Sequence, residues 1–194
     1  MSDVIENSLG RRAERRAGQL LAEHLPVVPL GDLPPSNGRG PSALGPEGNI
    51  VLPDFAVGAR DFGYIEVKLK GGTGWRNDWQ RQEHGIEMDH YLHYSQVEQQ
   101  FRRRVVLMIL ERTSSEGGDV LAATLDDLRA FGHPREGAWN NNGKASINWD
   151  RRAFWQVGRF VMASVPEEMT IDFDWRALDM LMRQLQLPFE EASC

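Results

Sequence analysis

With 194 residues, 41% of them hydrophobic and 26% charged, the chain has the size and composition of one globular domain, not of a disordered or fibrous protein. Its 22 basic and 28 acidic side chains give a net charge of -6, which argues against a protein that coats nucleic acid through a large positive excess. The only cysteine, Cys194, excludes an intrachain disulfide framework and a thiolate zinc site, and the longest apolar run, Val105–Leu110, falls far short of the roughly 20 residues a membrane span needs.

In chain order, residues 4–25 read as a helix. Leu9, Ala13, Ala17, Leu20, Leu21 and Leu25 recur at spacings of three and four, Arg11, Arg12, Arg15 and Arg16 lie mostly off that face, and Pro26 stops the helix. No apolar h-region precedes a cleavage site here, so a cytoplasmic protein is expected. Residues 29–48, rich in Gly and Pro, read as a long surface loop, with contact to a substrate as the alternative. Asn49–Val57 reads as a strand. Gly63–Leu69 reads as a second, with Ile65, Val67 and Leu69 alternating with Tyr64, Glu66 and Lys68, and Gly58–Phe62 between them suits a hairpin.

Gly71–Asp89 reads as a polar connection and His90–Arg104 as a helix. Val105–Glu111 is continuously apolar up to its final residue, as a buried central strand is. Thr113–Asp119 reads as a turn cluster, Thr124–Phe131 as a short helix with Asp126 and Asp127 at its positive end, and Asn140–Gly143 as a turn. Ser146–Trp149 and Phe154–Phe160 are candidate short strands. Asp174–Leu187 is a terminal helix that Asp174 can cap and Pro188 ends. The expected fold is α/β: a mixed central sheet flanked by helices within one domain, residues 1–194, with a core over about 4–111 and a helical C-terminal extension over about 112–194.

The chemistry is concentrated in Pro53-Asp54 and, after eleven intervening residues, Glu66-Val67-Lys68. Strand alternation puts Glu66 and Lys68 on one face, and a hairpin brings Asp54 beside Glu66. Two carboxylates and an amine at one point suit a hard cation such as Mg²⁺, which keeps several waters and accepts phosphate oxygens. The Val67 carbonyl is a natural extra ligand, and Lys68 can orient the attacking water or stabilise the transition state. A solvated strand with a weak Glu–Lys surface pair is the competing reading. The chain favours the chemistry, because it has only three lysines, Lys68, Lys70 and Lys144.

Carried by PDF at 53–55 and EVK at 66–68, the pattern resembles the PD-(D/E)XK nuclease superfamily, with its restriction-endonuclease-like core of helix, three strands, helix and strand. The resemblance implies that Asp54 and Glu66 bind Mg²⁺, with Mn²⁺ as a substitute. It implies that Lys68 assists hydrolysis of a DNA phosphodiester, leaving a 5′-phosphate. It further implies that Glu14 in the first helix is an additional acidic group at the metal. It also implies that a polar residue of the second helix faces the site, Gln96 being chosen over Gln99 and Gln100. The alternatives are a catalytically inactive nucleic-acid- or protein-binding module on the same fold, and a small-molecule phosphohydrolase. A homodimer is expected if the substrate is a duplex.

Further candidates lie nearby. His90, with His93 and Tyr94 as rivals, is a candidate to face substrate. His84, His90 and His93 are a weaker zinc set. Trp75 and Trp79 can stack on bases or pack on the core. Arg11–Arg16, Arg102–Arg104 (Arg102 and Arg103 foremost) and Arg151–Arg152 can each contact phosphate or form a solvated face. The charge is uneven. Residues 161–194 hold 2 basic and 7 acidic side chains, so the remainder is close to neutral and DNA is not excluded as a partner.

Overall fold

The computed structural model describes residues 2–31, 41–46, 48–58, 63–71, 74–76, 81–135, 144–162 and 168–186, with backbone alone at 2–8, 74–76, 81, 135 and 184–186. The turn at Asn140–Gly143, most of the hairpin turn at Gly58–Phe62, Trp79, Leu187, Pro188, Cys194 and the side chain of Trp75 lie outside the described residues.

Helix α1 (Ser2–Ala22) buries the predicted face, with Ala13, Ala17, Leu20 and Leu21 in the core. It then turns through Pro26 into β1 (Val27–Pro29). The expected strand Asn49–Val57 is two strands. Pro53 carries no amide hydrogen and cannot continue a ladder. Upstream of it β3 (Gly48–Val51) pairs with β2 (Ser42–Gly45) as a separate two-stranded ribbon, and downstream of it β4 (Phe55–Val57) joins the main sheet. The segment read as a surface loop therefore contains β2, which has little apolar character to announce it.

The main sheet has seven strands in the order β1-β4-β5-β8-β9-β12-β13, where β5 is Gly63–Lys70, β8 Val105–Arg112, β9 Gly117–Thr124, β12 Trp155–Val161 and β13 Thr170–Phe173. β4 and β5 are antiparallel. The helix α2 (Met88–Phe101) then carries the chain over the sheet so that β8 runs parallel to β5. The expected mixed sheet flanked by helices is thus present. Three strands, β1, β4 and β5, enter it between α1 and α2, and β8 follows, the order helix, three strands, helix, strand. β8 is the sheet's centre, with Val105–Leu110 at most 1% exposed. Burying each such side chain contributes roughly 1.5–3 kcal/mol.

The C-terminal half is not a helical appendix. β9, β12 and β13 complete the main sheet, and α4 (Trp175–Gln186) packs Leu178, Leu181 and Met182 into the same apolar layer as α1. β9 was hidden because its sequence, GGDVLAAT, is rich in Gly and Ala and poor in branched residues. The small residues are required there. A Cβ on Gly118 would lie 1.8 Å from the Glu111 carbonyl oxygen of the neighbouring strand. Asp174 caps α4 as expected, its Oδ1 accepting from the amides of Arg176 and Ala177 at 3.1 Å each. Thr124 caps the short α3 (Leu125–Arg129) in the same way.

The opposite face carries α2, α3 and a second sheet, β10-β11-β7-β6, formed by β10 (His133–Arg135), β11 (Ser146–Asp150), β7 (Arg81–Glu87) and β6 (Gly74–Arg76). The segment Gly71–Asp89, expected as a connection, supplies two of its strands. Its side chains are mostly polar or charged and show no period-two apolar pattern. Ile86, Ile147 and Trp149 close the second apolar layer with Tyr94, Leu107 and Ile109. No described helix is long and apolar enough to cross a membrane.

Candidate active site

The pairing of β4 with β5 ends at Phe55 opposite Ile65, which places Asp54 across from Glu66. From Val67 to Lys70, β5 continues with β8 on one side and no described main-sheet strand on the other. The site occupies this open edge. Glu66, only 2% exposed, accepts the Asp54 amide at Oε2 (3.1 Å). Asp54 in turn accepts the Val67 amide at Oδ2 (3.0 Å). In a β-strand the N–H and C=O of one residue point to the same side, so the Val67 carbonyl also faces the open edge. Lys68 Nζ lies 2.5 Å from Glu66 Oε1 and 3.9 Å from Glu14 Oε1. α1 packs on the face bearing Ile65 and Val67, so Glu14 reaches Lys68 around the edge of the strand.

These positions alter the acid–base character of the groups. Burial, then the neighbouring Glu66, pushes the Asp54 carboxyl up to about 8. Burial raises Glu14 as well. Burial opposes the charge of Lys68, yet Glu66, Asp54 and Glu14 together raise its pKa, so it stays an ammonium. Burial, then Glu66, raises Tyr94 well above the ordinary tyrosine value, and its hydroxyl bonds to the Glu66 carboxylate. The arrangement gathers more carboxyl groups than its lysine can neutralise once they ionise, which is the situation a hard cation relieves. Two carboxylates and a carbonyl match the oxygen ligands of Mg²⁺, which takes few protein ligands and keeps water. Among the described residues no three His, Cys, Asp or Glu side chains form a ready-made metal cage.

The sequence candidates separate accordingly. Asp54, Glu66, Val67, Lys68 and Glu14 come together. His90, in the first turn of α2, lies with its ring centroid 5.9 Å from that of Tyr94, near enough for Glu66 and Lys68 to influence its charge. Gln96 does not share that face. It sits two residues past Tyr94, about 200° round the helix, and Tyr94 is the α2 residue that meets Glu66. Gln99 and Gln100 are exposed. Arg102 and Arg103 follow the far end of α2, where Arg103 influences Tyr64, four residues before Lys68 on β5. The crossover reverses the chain and carries them away from the cluster.

The zinc set does not assemble. His84 Nε2 is 3.1 Å from Glu111 Oε1, both buried, and Glu111 Oε2 takes Arg151 at 2.7 Å. Arg151 also binds Asp119 at 2.7 Å, so it serves as an internal tie. Arg152 pairs with Asp150, while Arg16 donates to the Met169 carbonyl. Tyr94, expected as a rival to His90 for facing substrate, meets the Glu66 carboxylate instead. One residue beside the site has no counterpart among the sequence candidates. Lys70 shares the alternation of Glu66 and Lys68.

No protein-family model and no curated protein sequence matches the chain. The chain is similar to a solved Holliday junction resolvase from Archaeoglobus fulgidus at 12% identity and a TM-score of 0.45, over 76% of this chain and 91% of that one.

Proposed function

We propose that the protein is a metal-dependent nuclease that hydrolyses DNA phosphodiester bonds at the open edge of β5. The observation that supports this reading is the convergence of Asp54, Glu66 and Lys68, locked together through the Asp54 and Val67 amides. Asp54, Glu66 and the Val67 carbonyl would hold Mg²⁺, or Mn²⁺ in its place, with Glu14 as an additional acidic group. When bound, the cation lowers the pKa of water and neutralises charge developing on phosphate. Lys68 orients the attacking water and steadies the anionic transition state with its ammonium. Tyr94, through its hydroxyl, fixes the Glu66 carboxylate. A cytoplasmic location, and a homodimer for cutting both strands of a duplex, belong to the same reading.

The test is cleavage of linear, circular, single-stranded and branched DNA with Mg²⁺ or Mn²⁺, beside the Lys68→Ala and Asp54→Ala variants. Cleavage lost in both variants, with melting temperatures retained, supports the reading. Cleavage at the parent rate in both overturns it.

A further inference from the structure

We propose that Lys70 is a second phosphate-binding residue of this site, contacting a backbone phosphate of the DNA beside the one being cleaved. The inference rests on the nuclease reading above. Lys70 ends β5, two residues after Lys68, so its side chain leaves the same face as those of Glu66 and Lys68. It is half-buried, yet among the described residues it makes no hydrogen bond or ion pair.

Its surroundings explain why it is left available. Glu111 stands directly beside it in the β5–β8 register. Both oxygens of Glu111 are already taken, one by His84 and one by Arg151. Glu66 is held by Lys68, and Glu87 by Lys144 at 2.8 Å. On the other side the main sheet has no described strand beyond Ile65. A half-buried ammonium that its acidic neighbours do not occupy, on the face and edge where phosphate would lie, is placed to receive an anion.

The charge inventory agrees. Glu14, Asp54 and Glu66 set three carboxylates against the two ammonium groups of Lys68 and Lys70. One divalent cation then leaves the cluster with a single positive charge, the complement of one phosphodiester. Without Lys70 the same count would fall by one positive charge, and the attraction for the substrate would weaken accordingly.

The test is single-turnover cleavage of short fluorescein-labelled single-stranded and duplex oligodeoxynucleotides, with protein in excess and Mg²⁺ present, across about 50–200 mM potassium chloride. Lys70→Gln is expected to raise the half-saturating protein concentration roughly tenfold and to reduce the log–log salt slope by about one. The limiting rate should change far less, and Lys70→Arg should restore both binding terms. A purely structural lysine would not move the salt slope. If the parent cleaves and Lys70→Gln keeps its half-saturation and slope, the role of Lys70 is overturned while the nuclease reading stands. If the parent cleaves neither substrate with Mg²⁺ or Mn²⁺, both fall.

Discussion

Asp54 and Glu66 hold each other through the main chain: the Asp54 amide donates to the Glu66 carboxylate at 3.1 Å, and the amide following Glu66 donates to the Asp54 carboxylate at 3.0 Å. Two carboxyl groups are thereby kept together by backbone donors that neither can leave without losing a bond. Asp54→Asn retains an oxygen for the Val67 amide but removes a charge that a cation needs. Cation binding by calorimetry should be lost, and single-turnover cleavage should fall on the order of 10²–10³-fold, with the melting temperature held or raised. Unchanged Mn²⁺ binding in this variant would contradict the assignment of Asp54 as a ligand.

The same pair predicts a pH dependence. An unfolded aspartate titrates near 3.8, whereas Asp54 in the folded protein is pushed to about 8 by burial and by Glu66. Between these values the folded state binds the extra proton. Without metal, the contribution of this group to stability is therefore fully present below about 3.8 and is lost as pH rises through 8. Mg²⁺ requires the carboxylate, so its stabilising effect should grow over the same interval and level off above it. Melting temperatures with and without Mg²⁺ at several pH values check this. An equal Mg²⁺ shift at both ends, or a shift that survives unchanged in Asp54→Asn, would count against it.

How much of this was legible depended on whether the signal was local. PDF and EVK were legible because strand alternation and a hairpin are short-range rules, and Asp54, Glu66 and Lys68 come together as those rules require. The central strand β8 was legible because burial on both faces leaves an unbroken apolar run. β9 was not, since its identity as a strand is imposed by neighbours and not by its own composition, and β13 was not, since four residues are too short to show an alternation. Gln96 lies on the other side of α2 because Tyr94 and Val97 face the sheet, and polar type alone does not bring a residue to the cluster.

Another buried carboxylate serves the fold. Glu98, 0% exposed, accepts the Val105 amide at 2.9 Å and Arg129 at 2.6 Å, tying α2 to the start of β8 and to α3. Glu98→Ala leaves that amide without its acceptor and should cost about 2–4 kcal/mol in urea unfolding. Arg129→Ala should also destabilise, because it strands the buried charge. The double variant should lose less than the sum of the two. Strict additivity would show that the pair does not interact.

The last prediction concerns the contact that sets α1 against the site. A Cβ on Gly18 would lie 2.3 Å from the Phe55 ring, so helix and strand meet only because that position is glycine. Phe55 immediately follows Asp54, and Glu14, one helical turn before Gly18, is the α1 residue that approaches Lys68. Gly18→Ala must push α1 outward or displace Phe55, at a cost of about 1–3 kcal/mol. Either movement disturbs Glu14 or Asp54, so cleavage should fall along with stability. Trimming the ring in Gly18→Ala/Phe55→Leu should recover stability relative to Gly18→Ala alone, and with it part of the activity. If the double variant is no more stable than the single one, the close approach of α1 to β4 is not what glycine provides at this position.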